Sequence, residues 1–156
     1  MNNLFLWSAL GVTLLLLVMY DVYATILHAR ARSGPISETL NRAIWSVARR
    51  FAFKLSRQRR HRLLNSIGPL LLPLLIVVFL VLLVSGFALI YLPHMPAEFT
   101  VSPTAANSAW VESFYFSGVT LTTVGYGDIA PRTLGMRLIA LTEAATGFAL
   151  ISLAVT

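Results

Sequence analysis

Cysteine is missing from all 156 residues, which excludes disulfides, thiolate metal sites and thiol chemistry and leaves the redox compartment unread. Acids are scarce, six against twelve Lys and Arg, and charged residues of both signs make up only 12%. An ordinary soluble domain carries roughly 25%. With 57% hydrophobic residues and a mean hydropathy of +0.77, a soluble globule would lack the polar material to cover itself. The same figures exclude a disordered chain. The three histidines, His28, His61 and His94, are scattered, with no metal-ligand spacing. Neither a nucleophile–base pair nor a nucleotide-cradling loop is present, so nothing points to an enzyme or to a bound cofactor. What remains is a net charge of +6 and a pI near 10.5, the mark of a nucleic-acid or a membrane partner.

Three stretches are long and apolar enough to cross a bilayer, which takes about 20 residues: Leu4 to Leu27, Ile67 to Leu92 and Leu134 to Thr156. The first differs from a signal peptide, because its positive residues follow the apolar run instead of preceding it. Ten of the twelve Lys and Arg fall between Arg30 and Arg62, with the single acid Glu38 among them. The positive-inside rule makes that segment cytoplasmic and puts the N-terminus and residues 93–133 on the outer side. A basic run fenced by spans favours anionic lipid over nucleic acid. Within it, Ile36, Leu40, Ile44, Val47, Phe51 and Leu55 form one helical stripe, with Gly34-Pro35 at its start and Glu38 in its first turn. This predicts an interfacial amphipathic helix over about 36–64. Arg50, Lys54, Arg57 and Arg60 share the spacing of a voltage sensor, but only one span precedes them to offer acidic partners.

Between the second and third spans comes a 13-residue apolar segment, 110–122, too short to cross, then Thr123-Val124-Gly125-Tyr126-Gly127-Asp128. Two glycines around one residue exclude regular helix, and non-helical backbone at membrane depth must be buried or line an aqueous path. Carbonyls aimed one way by such a segment can replace the water around a cation.

This hexapeptide, set between two spans, resembles the selectivity-filter signature of the potassium-channel pore family, in its bacterial two-transmembrane, pore-loop form. The resemblance covers about residues 67–156 and implies an all-α membrane protein. An N-terminal transmembrane helix (1–29) and a basic interfacial segment (30–66) precede the pore domain (67–156). Within the latter, outer helix 67–92, outer loop 93–109, pore helix 110–122, filter 123–128 and inner helix 134–156 are expected. Carbonyls of Thr123, Val124, Gly125 and Tyr126, with Gly127 completing the filter, would bind K⁺ as the permeant ion. One chain brings one loop and a ring needs four, so a homotetramer is implied. Asp128, Tyr115, Thr122 and Glu143 are expected to support the filter, and Gly147, Phe148, Ile151 and Val155 to form hinge and gate.

The chain departs from some relatives in the filter's surroundings. Tyr115 and Phe116 stand where paired tryptophans occur, so a Tyr115–Asp128 hydrogen bond is predicted while Phe116 cannot bond the filter tyrosine. Val119 stands where others carry Glu. Glu143, an intramembrane acid, is expected behind the filter on Ser117 or Thr120, or alternatively facing the cavity. Gly147 is read either as a hinge or as a close-packing residue. Asp21 is expected to pair with an arginine such as Arg30. Glu98, Glu112 and Asp128 would make the outer mouth attractive to cations, offset by Arg132.

The sequence reading is therefore a K⁺-selective, passive channel in the plasma membrane. The alternatives are a weakly selective cation channel, a transporter subunit built on the same loop, or a non-conducting sensor on the scaffold. The apolar run ending at Thr156 without interfacial residues suggests that more chain follows.

Overall fold

The computed structural model describes residues 2–27, 34–52, 57–95, 97–102 and 108–155, with side chains described at 5–25, 34–47, 49–50, 70–95, 97–102 and 108–153. In chain order the elements are α1 (Asn2–Val22) running into a π-helical turn (Tyr23–Leu27), α2 (Pro35–Ala52) and α3 (Arg57–Tyr91). A 3₁₀ turn (Leu92–His94), β1 (Phe99–Val101), α4 (Ala109–Leu121), β2 (Ile129–Pro131) and α5 (Leu134–Val155) follow. Stretches of α1, α3 and α5, Phe5–Thr25, Leu70–His94 and Leu134–Leu153, are each long and apolar enough to cross a membrane. The expected all-α architecture of three spans and a short helix before the 123–128 segment is present.

Two boundaries differ from the sequence reading. Within the segment expected as an interfacial helix over 36–64, α2 is described to Ala52 and α3 from Arg57, with 53–56 outside the described residues, and Arg57, Arg59, Arg60 and Arg62 belong to the first turns of α3, continuous with the second span. From Arg57 onward no residue stops a helix before the apolar run. Pro69 and Pro73 are carried inside it, as membrane helices permit when the freed carbonyls find other partners. Arg30, Arg32, His28 and Lys54 lie outside the described residues, as does Thr156. The second difference is the pair of three-residue strands. β1 and β2 are antiparallel, with Thr100 opposite Ala130, and bring the outer loop against the chain leaving the filter.

The chain divides into two compact units, Met1–Leu17 with Leu80–Thr156, and Val18–Phe79. In the first, α1 meets α3 where Gly11 faces Gly86. A Cβ on Gly11 would lie 2.6 Å from the Gly86 carbonyl oxygen, so small residues let the backbones approach, the usual basis of helix association in lipid. Trp7 then packs edge-on against Trp110 at the start of α4, with centroids 5.1 Å apart.

In the second unit Asp21 is fully buried. Its Oδ1 accepts the Ile36 amide at 2.9 Å, and its Oδ2 accepts the Ser37 amide at 3.0 Å and the Ser37 hydroxyl. The Thr25 hydroxyl, placed by the π-helical turn, donates to Ser37 Oγ at 2.9 Å and accepts the Gly34 amide at 3.2 Å. Asp21 thus takes the otherwise orphaned amides of α2's first turn, where a negative charge is favoured. The arginine expected as its partner, Arg30, lies outside the described residues. Glu38 and Arg42 pair one turn further on. Asp21→Ala should loosen the start of α2 by about 1–2 kcal/mol, the usual loss of a cap. The amides of Ile36 and Ser37 should then exchange roughly tenfold faster, and unchanged protection would contradict the cap.

Candidate ion-conduction site

Helix α4 starts at Ser108, whose hydroxyl accepts the Val111 amide, and ends at Thr122. The chain then enters the segment singled out in the sequence. Thr123, Gly125 and Gly127 have φ of 59°, 58° and 79°, while Val124 and Tyr126 between them do not share the left-handed region. Glycine adopts it freely, whereas Thr123 does so against a steric penalty.

The amides at the entry point back to the end of α4. Thr123 donates to the Thr120 carbonyl at 3.0 Å, and Val124 and Gly125 both donate to the Val119 carbonyl, at 3.0 and 3.4 Å. In a planar trans peptide the carbonyl points opposite to the amide. The carbonyls of Thr122, Thr123 and Val124 therefore point away from α4. Val119, a position without a carboxyl side chain, holds this segment through its backbone. Thr122 keeps its hydroxyl on its own helix, donating to the Gly118 carbonyl at 2.7 Å. In the single chain, the Val124 and Tyr126 side chains are 54% and 71% exposed.

The outer end is fastened at Asp128. The predicted bond is present: the Tyr115 hydroxyl donates to Asp128 Oδ2 at 2.8 Å, while Oδ1 accepts the Ile129 amide at 3.1 Å. The Asp128 carbonyl accepts the Ser102 amide at 3.0 Å just beyond β1. The hydrogen bond to Asp128 raises the Tyr115 pKa above its ordinary value, keeping the phenol a donor. Tyr115→Phe should leave the fold intact but shorten the lifetime of the conducting state. Single-channel open times equal to those of the parent would show that the bond does not steady the filter.

Phe116 points elsewhere. It is buried against Tyr91 and Phe99, with centroids 5.1 and 5.2 Å away in edge-on contact, and so joins α4 to α3 and β1. Such pairs contribute about 0.5–1.5 kcal/mol each beyond area burial.

Glu143 takes the supporting position and not the cavity-facing one. It is fully buried; Ser117 donates to its Oε1 at 2.5 Å, and the Tyr91 hydroxyl donates to Oε2 at 2.7 Å. Ser117 Oγ also lies 3.0 Å from the Val84 carbonyl oxygen. One carboxyl group thereby ties α3, α4 and α5 together. Sequence reasoning missed Tyr91, because a tyrosine at the end of an apolar run reads as an interfacial anchor. Among the described residues, every buried side-chain nitrogen and oxygen has a partner.

Gly147 faces the end of α4. A Cβ there would lie 1.9 Å from the Leu121 carbonyl oxygen. Close packing accounts for this glycine without a hinge. Met136, Glu143, Gly147 and Leu150 form the buried face of α5, whereas Phe148 and Ile151 are exposed and Val155 lies at the helix end. Beside the β1–β2 pair Glu98 accepts from Thr133 and lies 3.9 Å from His94, and Arg132 donates to Thr100. No group of three or more potential metal ligands occurs among the described residues.

A helix before a looped segment of alternating dihedrals, held between two membrane-length helices, defines a pore-loop membrane protein. The chain belongs to the family described as "Ion channel", whose profile matches residues 76–156. It is 34% identical over 148 residues to the uncharacterized membrane protein YdjJ of Bacillus subtilis, covering 94% of this chain and 41% of that one. Protein LctB of Bacillus caldotenax is 42% identical over 78 residues, 46% of this chain and 58% of LctB. The potassium channel protein kcv of Paramecium bursaria Chlorella virus 1 is 33% identical over 54 residues, 35% of this chain and 57% of kcv. The chain thus spans between two fifths and three fifths of the length of these relatives. No solved structure matches.

Proposed function

We propose that four copies of this chain form a K⁺-selective channel in the plasma membrane, with Thr123, Val124, Gly125, Tyr126 and Gly127 as the filter. The observation that carries this reading is the direction of the peptide units. Amides of Thr123, Val124 and Gly125 are spent on the end of α4, so the opposing carbonyls remain for an ion. Left-handed dihedrals at 123, 125 and 127 repeat the same turn of the backbone along the segment. The likeness to a potassium channel protein supports K⁺ as the cation.

A single chain supplies one wall of such a site. The exposed Val124, Tyr126, Phe148 and Ile151 side chains are the surfaces that further copies and a central cavity would cover. The ten basic residues in 30–62 orient that segment and the C-terminal end of α5 to the cytoplasm and the N-terminus outward. Tyr115, Asp128 and Glu143, with the Thr122 hydroxyl, hold the filter without touching the ion. Permeation is passive, with no bond made or broken and no cofactor beyond the permeant K⁺.

Purified full-length chain should run as a four-chain complex and, in vesicles, should release K⁺ while retaining Na⁺. A dimer, or vesicles that hold K⁺ like empty ones, would overturn the proposal.

A further inference from the structure

The matched profile begins at residue 76, yet Met1–Leu17 forms one compact unit with Leu80–Thr156. Trp7, Gly11 and Leu15 recur every four residues and share one face of α1. Phe5, Leu6 and Leu10 lie off that face and are exposed. At the crossing with α3, a Cβ on Gly86 would meet Leu15 Cδ2 at 2.6 Å, and one on Gly11 would meet Ile90 Cγ1 at 2.9 Å. Side chains thus crowd both glycines, and α1 is held against turning or sliding on α3. One turn before Gly11, Trp7 meets Trp110 in the first turn of α4.

Helix α4 presents the carbonyls of Val119 and Thr120 to the amides of Thr123, Val124 and Gly125, so its direction sets where the 123–127 segment begins. Its second half is tied down by Phe116 on Tyr91 and Phe99, Ser117 on Glu143 and Leu121 on Gly147. In its first half Glu112 and Ser113 are buried, while Trp110, Val111, Phe114 and Tyr115 line an open groove on the other side. Trp7 closes on that side at Trp110, and Phe114 stacks behind Trp110 with centroids 6.4 Å apart. From Trp110 to Phe116 is about 9 Å along the helix axis. Contacts that far apart fix the tilt of a rigid helix, which contacts on one half leave free to pivot.

We propose that α1 is a positioning helix for ion conduction, in which Trp7 sets the tilt of α4 through Trp110 and thereby the backbone of 123–125. The role in conduction rests on reading 123–127 as the filter, whereas the hold on the backbone does not. A plain membrane anchor needs apolar length alone. Neither a crowded glycine crossing nor a ring pair in its first turns follows from that need. An edge-on aromatic pair shifts an equilibrium by about two- to tenfold, enough to change how long the entry to the segment keeps its bonds to α4.

The test is hydrogen exchange of the full-length chain in detergent micelles, read at single amides by NMR. Trp7→Leu keeps an apolar side chain and a good helix former but no ring. It should speed exchange of the Thr123 and Val124 amides at least about threefold, leaving the Glu143 and Leu150 amides of α5 at parental rates. Trp7→Phe restores a ring and should return them to within about twofold of the parent. Phe5→Leu, off the packing face, should match the parent, and with Trp110→Leu already present Trp7→Leu should add nothing. In planar bilayers Trp7→Leu should shorten open times in the same proportion. Parental exchange at 123 and 124 in Trp7→Leu, an equal rise in Phe5→Leu or throughout α5, or an undiminished effect without Trp110 would each overturn the hold of α1 on this backbone. Parental open times despite faster exchange would overturn its role in conduction. A parent chain that carries no K⁺ current overturns the filter reading instead, and the exchange rates still decide the hold.

Discussion

Gly147→Ala should lower the thermal stability of the protein and abolish most of its current. The added Cβ meets the Leu121 carbonyl oxygen at 1.9 Å, where ordinary contact begins at 3.4 Å. The obstacle is backbone, so no rotamer change relieves it and α5 must withdraw from the end of α4. Overpacking of this kind costs about 1–3 kcal/mol, and more where the backbone cannot yield. Leu121 is one residue before Thr122, and the carbonyls of Val119 and Thr120 hold the amides of Thr123, Val124 and Gly125. A displacement at Leu121 therefore reaches the filter directly. A glycine serving only as a hinge gives another pattern, in which the alanine variant folds with parental stability and only its opening changes. Thermal unfolding of Gly147→Ala beside its current–voltage curve separates the two. Parental stability would refute the packing account.

Glu143→Ala is the second large loss, and Glu143→Gln is the contrast that explains it. Alanine removes the acceptor of the buried Tyr91 hydroxyl and leaves a void, whereas Ser117 can still donate to the Val84 carbonyl. An unsatisfied buried donor costs about 1–3 kcal/mol, and the cavity adds to it. Glutamine allows every bond to be remade. Its carbonyl accepts from Tyr91, and its amide donates to Ser117, whose own proton turns to Val84. Glu143→Gln should therefore stay within about 1 kcal/mol of the parent, since an exchange that leaves no buried group unpaired is nearly neutral. Tyr91→Phe combined with Glu143→Ala should cost less than the sum of the two, because they share one interaction. Thermal melts of the four proteins check this. An alanine variant as stable as the glutamine one would dissolve the proposed tie between α3, α4 and α5.

The spans, the short helix and the non-helical segment were legible because each rests on a local property. These are the length of an apolar run, a 13-residue stretch too short to cross, and two glycines around a tyrosine. The Tyr115–Asp128 bond was legible through the resemblance, which sets Tyr115 where some relatives carry a tryptophan. The rest depends on partners far apart in sequence. Tyr91 and Glu143 are 52 residues apart, and nothing about either position names the other. Asp21 was read as an arginine's partner because intramembrane acids usually are. Its partners among the described residues, the Ile36 and Ser37 amides, lie 15 and 16 residues on. The β1–β2 pair escaped notice since three residues are too few to show alternation. That Arg57 to Arg62 run on into α3 escaped because arginines fill the end of α2 and these turns alike.

The central claim is that the 123–127 backbone selects K⁺. The most direct measurement is the reversal potential of the purified full-length chain in a planar bilayer, with K⁺ on one side and an equal concentration of Na⁺ on the other. Each tenfold of preference moves that potential by about 59 mV for a monovalent ion. A K⁺-selective filter predicts a shift of roughly 100 mV or more, collapsing in Gly125→Ala, where the positive φ no longer suits the residue. A reversal potential near zero in the parent protein would contradict the account and leave a weakly selective cation pore.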